Sequence, residues 1–283
     1  ITIKVGNFQD IEPALDTDYD MICLIGVFEY AAAYIAAENP YTAFLNIVRK
    51  HLAPNGKIVI AIENRFGLKY FSGCKEDHLG NYFSGIEDYP DGGVVRTFTR
   101  QGLEKICQSC GITRYSFYYP YPDYKFMHTL YSDKRLPKEG ELTTNLRNFD
   151  RDRLLLFDEK SAFDSIIRDG NFPLFANSYL LLIGKEEDCI YTKYSNDRAD
   201  KYAIRTDIKQ TSESIWVEKH PLSESAKAHI EGICEAGVLL QERYEGSNLQ
   251  ICPGKMQAGV LQFPFLEGET LENKMDKCLE NQD

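Results

Sequence analysis

At 283 residues, 43% of them hydrophobic and 27% charged, the chain has core enough for one large domain or two ordinary ones. A formal net charge of −11 excludes nonspecific nucleic-acid binding, which needs a basic surface to release counterions, yet leaves room for a small anionic substrate in a locally basic pocket. No apolar run approaches the roughly 18 residues of a membrane span, and the N-terminus lacks the shape of a signal peptide. The eight cysteines fall mostly inside predicted helices and strands, the pattern of reduced thiols in a cytoplasmic compartment.

Residues 1–5 alternate as a strand would and close on Gly6-Asn7-Phe8; there is no initiator Met, and both ends of the chain read as cut from something longer. Residues 20–27 form an apolar run ending at Gly26. Phe44, Ile47, Val48 and Leu52 then recur at helical spacing within residues 40–53, and residues 57–62 form a second apolar run. Strand, helix and strand at these lengths predict a βαβ unit with a buried parallel sheet and a right-handed crossover. Ligands bind beyond the carboxyl ends of such strands, so residues 26–30 and 63–66 are the first places to look for chemistry. The Gly- and aromatic-rich stretch 64–93 is expected to be a loop too polar for the core, of the kind that forms lids and substrate sites. Thr99 and Gly111 are suited to cap a helix between them. Cys107 and Cys110 lie on that helix with no second Cys/His pair at zinc spacing, and no metal site is read anywhere in the chain. Strands follow at 112–119 and 178–184. Between them, residues 120–177 form an insertion holding the Tyr- and Pro-rich run 121–126 and a helix near 160–168, either a cap over the site or an interaction surface.

Past residue 187 the rhythm changes to short alternating strands at 190–194, 202–208 and 214–219, a helix from about 225 to 242, two more strands at 249–252 and 259–265, and a turn at 267–270 into a polar helix. The chain is therefore read as two domains, 1–187 and 188–283.

The first domain resembles the class I S-adenosylmethionine-dependent methyltransferases from their third strand onward. The resemblance rests on the Val5-Gly6-Asn7-Phe8 turn, the run from Asp20 to Tyr30, the Pro54-Asn55-Gly56 turn leading into the next strand, the helix opened by Phe98-Thr99-Arg100, and the final strand pair. It implies an α/β, Rossmann-like sheet, incomplete at its N-terminus because the Gly-rich loop and ribose-binding acid precede the matching part. No Gly-x-Gly-x-x-Gly occurs here, and the chain alone is expected to bind S-adenosylmethionine poorly or not at all and to be inactive without the rest of its parent. By the same resemblance, Gly6, Asn7 and Phe8 would border the adenine, and Gly26, Val27, Phe28 and Glu29 the methionine end of the cofactor. Gly allows the close backbone approach this needs, although Gly26 suits an ordinary turn and Glu29 a helix start equally well. Acceptor-side candidates follow the next strand. Glu63 and His78 are candidate catalytic groups, with His78 a general base. Asn64, Arg65 and Lys69 are candidate substrate ligands, Arg65 by its planar fork. Asn64 and Arg65 would serve as loop braces equally well, and His78 as a surface residue.

The second domain, three strands, a helix and two strands, resembles a protein-kinase-like N-terminal lobe. That resemblance makes Lys219 the phosphate-gripping lysine, Glu235 the helix carboxylate that holds it (Glu231 the nearer alternative), and the stretch around Phe265 the adenine-holding hinge, with ATP and Mg as ligands. Residues 195–200 replace the Gly-rich loop. The two resemblances together are similar to bacterial bifunctional methyltransferase–kinases of surface polysaccharide synthesis, which implies a glycan, phosphoglycan or other small-molecule acceptor and glycosyltransferase partners. Two further readings stay open: a nucleotide-sugar or NAD enzyme of Rossmann type with a β-rich binding domain, and a non-catalytic scaffold of degenerate domains. A methyltransferase sheet carries an antiparallel strand beside its fifth strand; a dehydrogenase sheet does not.

Overall fold

The computed structural model describes residues 1–145, 153–195, 197–271, 274–275 and 278–279. The chain divides into two units, Ile1–Glu187 and Asp188–Asp283.

In the first unit, β1 (Tyr19–Ile25) and β2 (Leu52–Glu63) pair in parallel, joined by α3 (Pro40–Arg49), with Ile22 opposite Ile58 and Leu24 opposite Ile60. Pro40 at its first turn suits the start of α3, and Phe44, Leu45 and Val48 give it one buried face. The short helices α1 (Phe8–Ile11) and α2 (Ala31–Tyr34) precede it. Helix α4 (Leu68–Phe71) follows β2, and α5 (Arg100–Ser109) is capped by Thr99, whose hydroxyl accepts from the Gly102 amide. Strand β3 (Tyr115–Tyr121) turns back through β4 (Thr129–Ser132), and α6 (Glu159–Arg168) and α7 (Phe172–Phe175) lead to β5 (Ser178–Ile183). The sheet order is β1-β2-β5-β3-β4. Strand β5 runs antiparallel to both β2 and β3 and lies between them, with Ile60 opposite Leu181 and Phe117 opposite Leu181 on its other side.

Three expectations fail here. Residues 1–5 form no strand: they are exposed and join no ladder, because alternation alone does not hold a strand that lacks a paired neighbour. The stretch 64–93 is not a surface loop. It buries Leu68, Lys69, Tyr70, Ser72, Glu76, Asp77 and Tyr89, whose polar atoms are satisfied internally. Phe28 lies wholly inside an aromatic cluster with Tyr41, Phe44 and Phe98 at ring separations of 5.7, 6.0 and 5.9 Å, so it is a core residue and not a cofactor contact.

The second unit is a meander of β6 (Cys189–Tyr194), β7 (Ile204–Gln210) and β8 (Ile215–Pro221), then α8 (Lys227–Arg243), then a hairpin of β9 (Lys255–Gln257) and β10 (Val260–Pro264). Strand β10 pairs with β8, so the order is β6-β7-β8-β10-β9. Ile204, Ile230 and Leu261 form its core with Ile233, Cys234 and Phe263. The expected strand at 249–252 is irregular, and pairing begins only at Lys255. Gly254 approaches Leu261 and Phe263 so closely that a Cβ there would sit 2.6 Å from Leu261 Cδ1. The chain is thereby swung into register one turn later, and Ala258 and Gly259, both at positive φ, close the hairpin. Part of the expected loop 195–200 (residue 196) and most of the expected polar tail lie outside the described residues.

One face of this small sheet carries Asp207 and Glu218, both buried. Arg205 pairs with Asp207, and Lys209, Trp216 Nε1 and Gln262 reach Glu218. Burial by itself would raise Glu218, but the hydrogen bonds from Trp216 and Lys209 outweigh it and hold the carboxyl down at about 2. A group held below its ordinary 4.5 stabilises the fold above that value and loses its contribution as pH falls through about 2. Acid titration followed by circular dichroism should therefore show a loss of stability between those limits, and Glu218→Gln should flatten it.

Candidate functional site

The carboxyl end of β1 opens onto a cavity of about 590 Å³. It is lined on one side by Gly6, Asn7 and Phe8 and on the other by Gly26, Val27 and Tyr30, with Phe44 among the apolar walls. Five of the seven expected cofactor contacts thus meet at one cavity, although they come from two separate stretches of chain. Asn7 caps α1 through its side chain, and Phe8 packs edge-on against Phe44 at 5.1 Å. Gly26 occupies the left-handed region at φ 61°, and a Cβ there would lie 2.9 Å from the Tyr124 hydroxyl. The backbone turns sharply at that point, leaving the cavity mouth clear of a side chain. The volume is in the range of small-molecule and cofactor pockets.

Behind this cavity lies a group of charges. Glu29, on the turn after β1, and Glu63, the last residue of β2, are each 1% exposed. Their carboxylate oxygens and a ring nitrogen of His78 fall within 4.8 Å of one another. Glu63 Oε1 accepts from the Tyr124 hydroxyl at 3.1 Å and pairs with Lys125 Nζ at 2.8 Å. His78 Nδ1 lies 3.3 Å from the Tyr30 hydroxyl, which links it to the cavity wall. The backbone at His78 is pinned by Glu76, whose Oε2 accepts from the amides of His78 and Leu79. One buried atom of each of the three groups, Glu29 Oε2, Glu63 Oε2 and His78 Nε2, has no hydrogen-bond partner. Burial first, and then the Glu63 carboxylate beside it, push Glu29 up to about 7.

A second network supports the first. Lys69 pairs with Asp123 at 2.9 Å and Asp77 at 3.2 Å, Lys125 also reaches Asp77 at 3.1 Å, and the Tyr70 hydroxyl donates to Asp77. Burial alone would lower Lys69, but Asp123 and Asp77 hold it well above its ordinary value. Burial alone would raise Asp77, but Lys69 and Lys125 hold it well below the carboxylate range.

Of the five expected acceptor-side residues, the catalytic candidates Glu63 and His78 come together, and the substrate candidates Asn64, Arg65 and Lys69 do not join them. Asn64 is fully buried. Its side-chain amide donates to the Leu174 and Ala176 carbonyls at 2.7 Å each and its oxygen accepts from the Phe66 amide, so it braces the loop. Lys69 is 2% exposed and committed to Asp77 and Asp123, so it is structural. Arg65 is paired with Asp88 and sits over the Phe66 ring. Tyr124 and Lys125, from the Tyr- and Pro-rich run, are site residues whose role was unassigned in the sequence. Their only signal there was density of Tyr and Pro beside a lysine.

No family model and no curated protein matches the chain. Two similar solved structures are methyltransferases. One is a SAM-dependent methyltransferase from Archaeoglobus fulgidus, 13% identical over 65% of this chain and 66% of that one, with a TM-score of 0.34. The other, from Thermotoga maritima, is described as a SAM-dependent methyltransferase, possibly a histamine N-methyltransferase. It is 10% identical over 61% of this chain and 58% of that one, with a TM-score of 0.29. The chain spans less than two thirds of the length of either.

In the second unit, Lys219 Nζ donates to Thr206 Oγ1 at 3.2 Å. The expected pairing with Glu235 is not formed: α8 turns Ile230, Ile233 and Cys234 to the core and leaves Glu231 and Glu235 exposed, and no ion pair to Lys219 occurs among the described residues. Across the ladder, Lys219 stands opposite Thr206 and Thr206 opposite Lys193. Burial first, then Arg198 and Lys193, lower Lys219. Phe265 follows β10 directly and is half-buried. No described helix is long and apolar enough to cross a membrane, and all eight cysteines are free.

Proposed function

We propose that the first unit transfers a methyl group from S-adenosylmethionine to a hydroxyl-bearing acceptor, of the glycan or phosphoglycan kind. The observation that carries this reading is β5, reversed and inserted between β2 and β3, in a sheet whose strand β1 ends on the Gly6–Gly26 cavity. A dehydrogenase-type sheet would continue in parallel there, which weighs against the nucleotide-sugar or NAD alternative.

When bound, the sulfonium cofactor supplies an electrophilic methyl group. The residues of this chain do the rest. Gly6, Asn7 and Phe8 border one end of the cavity, and Gly26 and Val27 let the backbone pass close to the other. His78, held by Tyr30 at Nδ1, would take the acceptor proton at Nε2 as the acceptor oxygen receives the methyl group. Glu63, fixed by Tyr124 and Lys125, orients the acceptor, and Arg65 holds an anionic group on it by exchanging its partner Asp88. Most of the rate then comes from in-line positioning. Equilibrium dialysis with labelled S-adenosylhomocysteine tests the reading: binding displaced by S-adenosylmethionine but not by NAD supports it, and displacement by NAD alone refutes it.

For the second unit we infer a kinase-like lobe that holds ATP phosphates, favoured by one observation: a half-buried lysine with Arg198 and Lys193 near it and no ion-paired carboxylate among the described residues. Lys219→Ala should weaken ATP–Mg binding by about tenfold or more, the worth of a charge-assisted hydrogen bond. Glu235→Ala should leave it unchanged, and calorimetry of both variants checks the pair. Unchanged binding in Lys219→Ala contradicts the inference.

A further inference from the structure

We propose that Glu29, Glu63 and His78 bind a first-row divalent cation at the carboxyl end of the parallel strand pair. The sequence pattern gave no hint of it, since the three residues are far apart in the chain and none stands in a metal-ligand spacing.

Two buried carboxylates and an imidazole lie with their donor atoms within 4.8 Å of one another. Each contributes a buried atom that no protein group satisfies: Glu29 Oε2, Glu63 Oε2 and His78 Nε2. Buried polar atoms left unpaired are costly, and one on each of three residues whose donor groups lie this close is the arrangement a cation would complete. The remaining atoms are already engaged in the way that aims a ligand. Tyr124 and Lys125 hold Glu63 by Oε1, so Oε2 is turned inward. Tyr30 meets His78 at Nδ1, which suits a tautomer with Nε2 as the lone-pair donor. Glu76 fixes the His78 backbone through two amides and is itself held by the Tyr89 hydroxyl at 3.2 Å.

The donor set selects the ion. Calcium and magnesium favour all-oxygen shells, and soft ions favour thiolate, whereas two carboxylates with one imidazole suit Mn²⁺ and its first-row neighbours. Three protein ligands leave positions open. Tyr30, on the wall of the cavity, sits against His78, so an acceptor oxygen arriving from the cavity side would meet those positions. That last role rests on the methyl-transfer reading, and with the ion bound His78 Nε2 is a ligand and no longer the base, the ion itself acidifying the acceptor hydroxyl in its place. The binding of the ion does not rest on that reading.

The second unit provides an internal control. Asp207, Glu218 and His220 are also grouped closely, but Arg205, Lys209, Trp216 and Gln262 already occupy the two carboxylates. That cluster is satisfied by the protein and needs no ion.

Titration of the 283-residue chain with Mn²⁺ alone, read by loss of the free-ion electron paramagnetic resonance signal, tests the proposal without any activity. One bound ion per chain is expected. Glu29→Gln and His78→Gln should each raise its dissociation constant by about tenfold or more, and Asp207→Asn should leave it unchanged. Circular dichroism confirms that each variant is folded, and the wild-type result stands by itself if one is not. A wild-type titration with no bound ion overturns the proposal. So does binding that survives in both folded site variants, or binding lost in Asp207→Asn. Because no S-adenosyl ligand is present, failure here leaves the methyl-transfer reading intact, and failure of the dialysis experiment leaves this one intact.

Discussion

Lys69→Met is expected to cost the first unit about 3–5 kcal/mol, measured by urea denaturation, because it removes one partner from a buried charge cluster and strands the others. Lys69 is 2% exposed and touches Asp123, which is fully buried, and Asp77. With Lys69 gone, Asp77 retains Lys125 and Tyr70, while Asp123 keeps, among the described residues, the hydrogen bond it accepts from the Lys125 amide. The double variant Lys69→Met with Asp123→Asn should recover much of the loss, since the uncompensated charge is then removed along with its partner. A loss below about 1 kcal/mol in the single variant would mean that the cluster is not held together by its charges. The consequence for the site is direct. Lys125 is shared between Asp77 and Glu63, so the cluster fixes the Glu63 carboxylate.

Gly26→Val should abolish S-adenosylhomocysteine binding and lower stability by about 1–3 kcal/mol. At φ 61° a β-branched residue is strained regardless of surroundings. Here its Cβ would also meet the Tyr124 hydroxyl at 2.9 Å, against a Glu63 contact that leaves Tyr124 little room to retreat. Branch methyls at this position would extend into the cavity mouth. Denaturation and dialysis on the same preparation separate the two effects. A folded Gly26→Val chain with undiminished ligand binding would show that the cofactor does not lie against this turn.

What the sequence made legible follows from which residues carry their own signal. The βαβ unit was readable because its strands are continuous apolar runs and α3 keeps strict helical spacing, although the expected burial holds for β2 and not for β1, an edge strand in which only Leu24 is buried. A turn motif and a glycine singled out residues that line the two sides of the cavity. Residues 1–5 were misread because an alternating pattern specifies a face but not a partner. The stretch 64–93 was misread for the opposite reason: Lys69, Glu76 and Asp77 look like surface residues, and nothing local reveals that their partners are one another, Asp123 and Lys125. Asn64 shows the same limit, since a polar residue at a strand end is suited equally to binding a ligand and to bracing a loop. Its 2.7 Å contacts with Leu174 and Ala176, more than a hundred positions later, decide the matter. Glu235 failed on helix phase. The spacing from Lys219 was acceptable, but α8 turns Ile230, Ile233 and Cys234 inward and Glu235 out. Glu29 was placed near the cofactor by resemblance alone, and its meeting with Glu63 and His78 depends on the crossing of three separate turns.

The central claim is that the cavity between Gly6 and Gly26 receives the S-adenosyl group. Amide chemical-shift mapping of the isotope-labelled chain, titrated with S-adenosylhomocysteine and separately with NAD, tests it most directly and detects even weak binding. The account predicts that S-adenosylhomocysteine shifts the amides of Gly6, Asn7, Phe8, Gly26, Val27 and Tyr30 while those of β6 to β10 stay still, and that NAD shifts none of the six. Shifts confined to other parts of the chain, or the same six amides moving with NAD and not with S-adenosylhomocysteine, would contradict it.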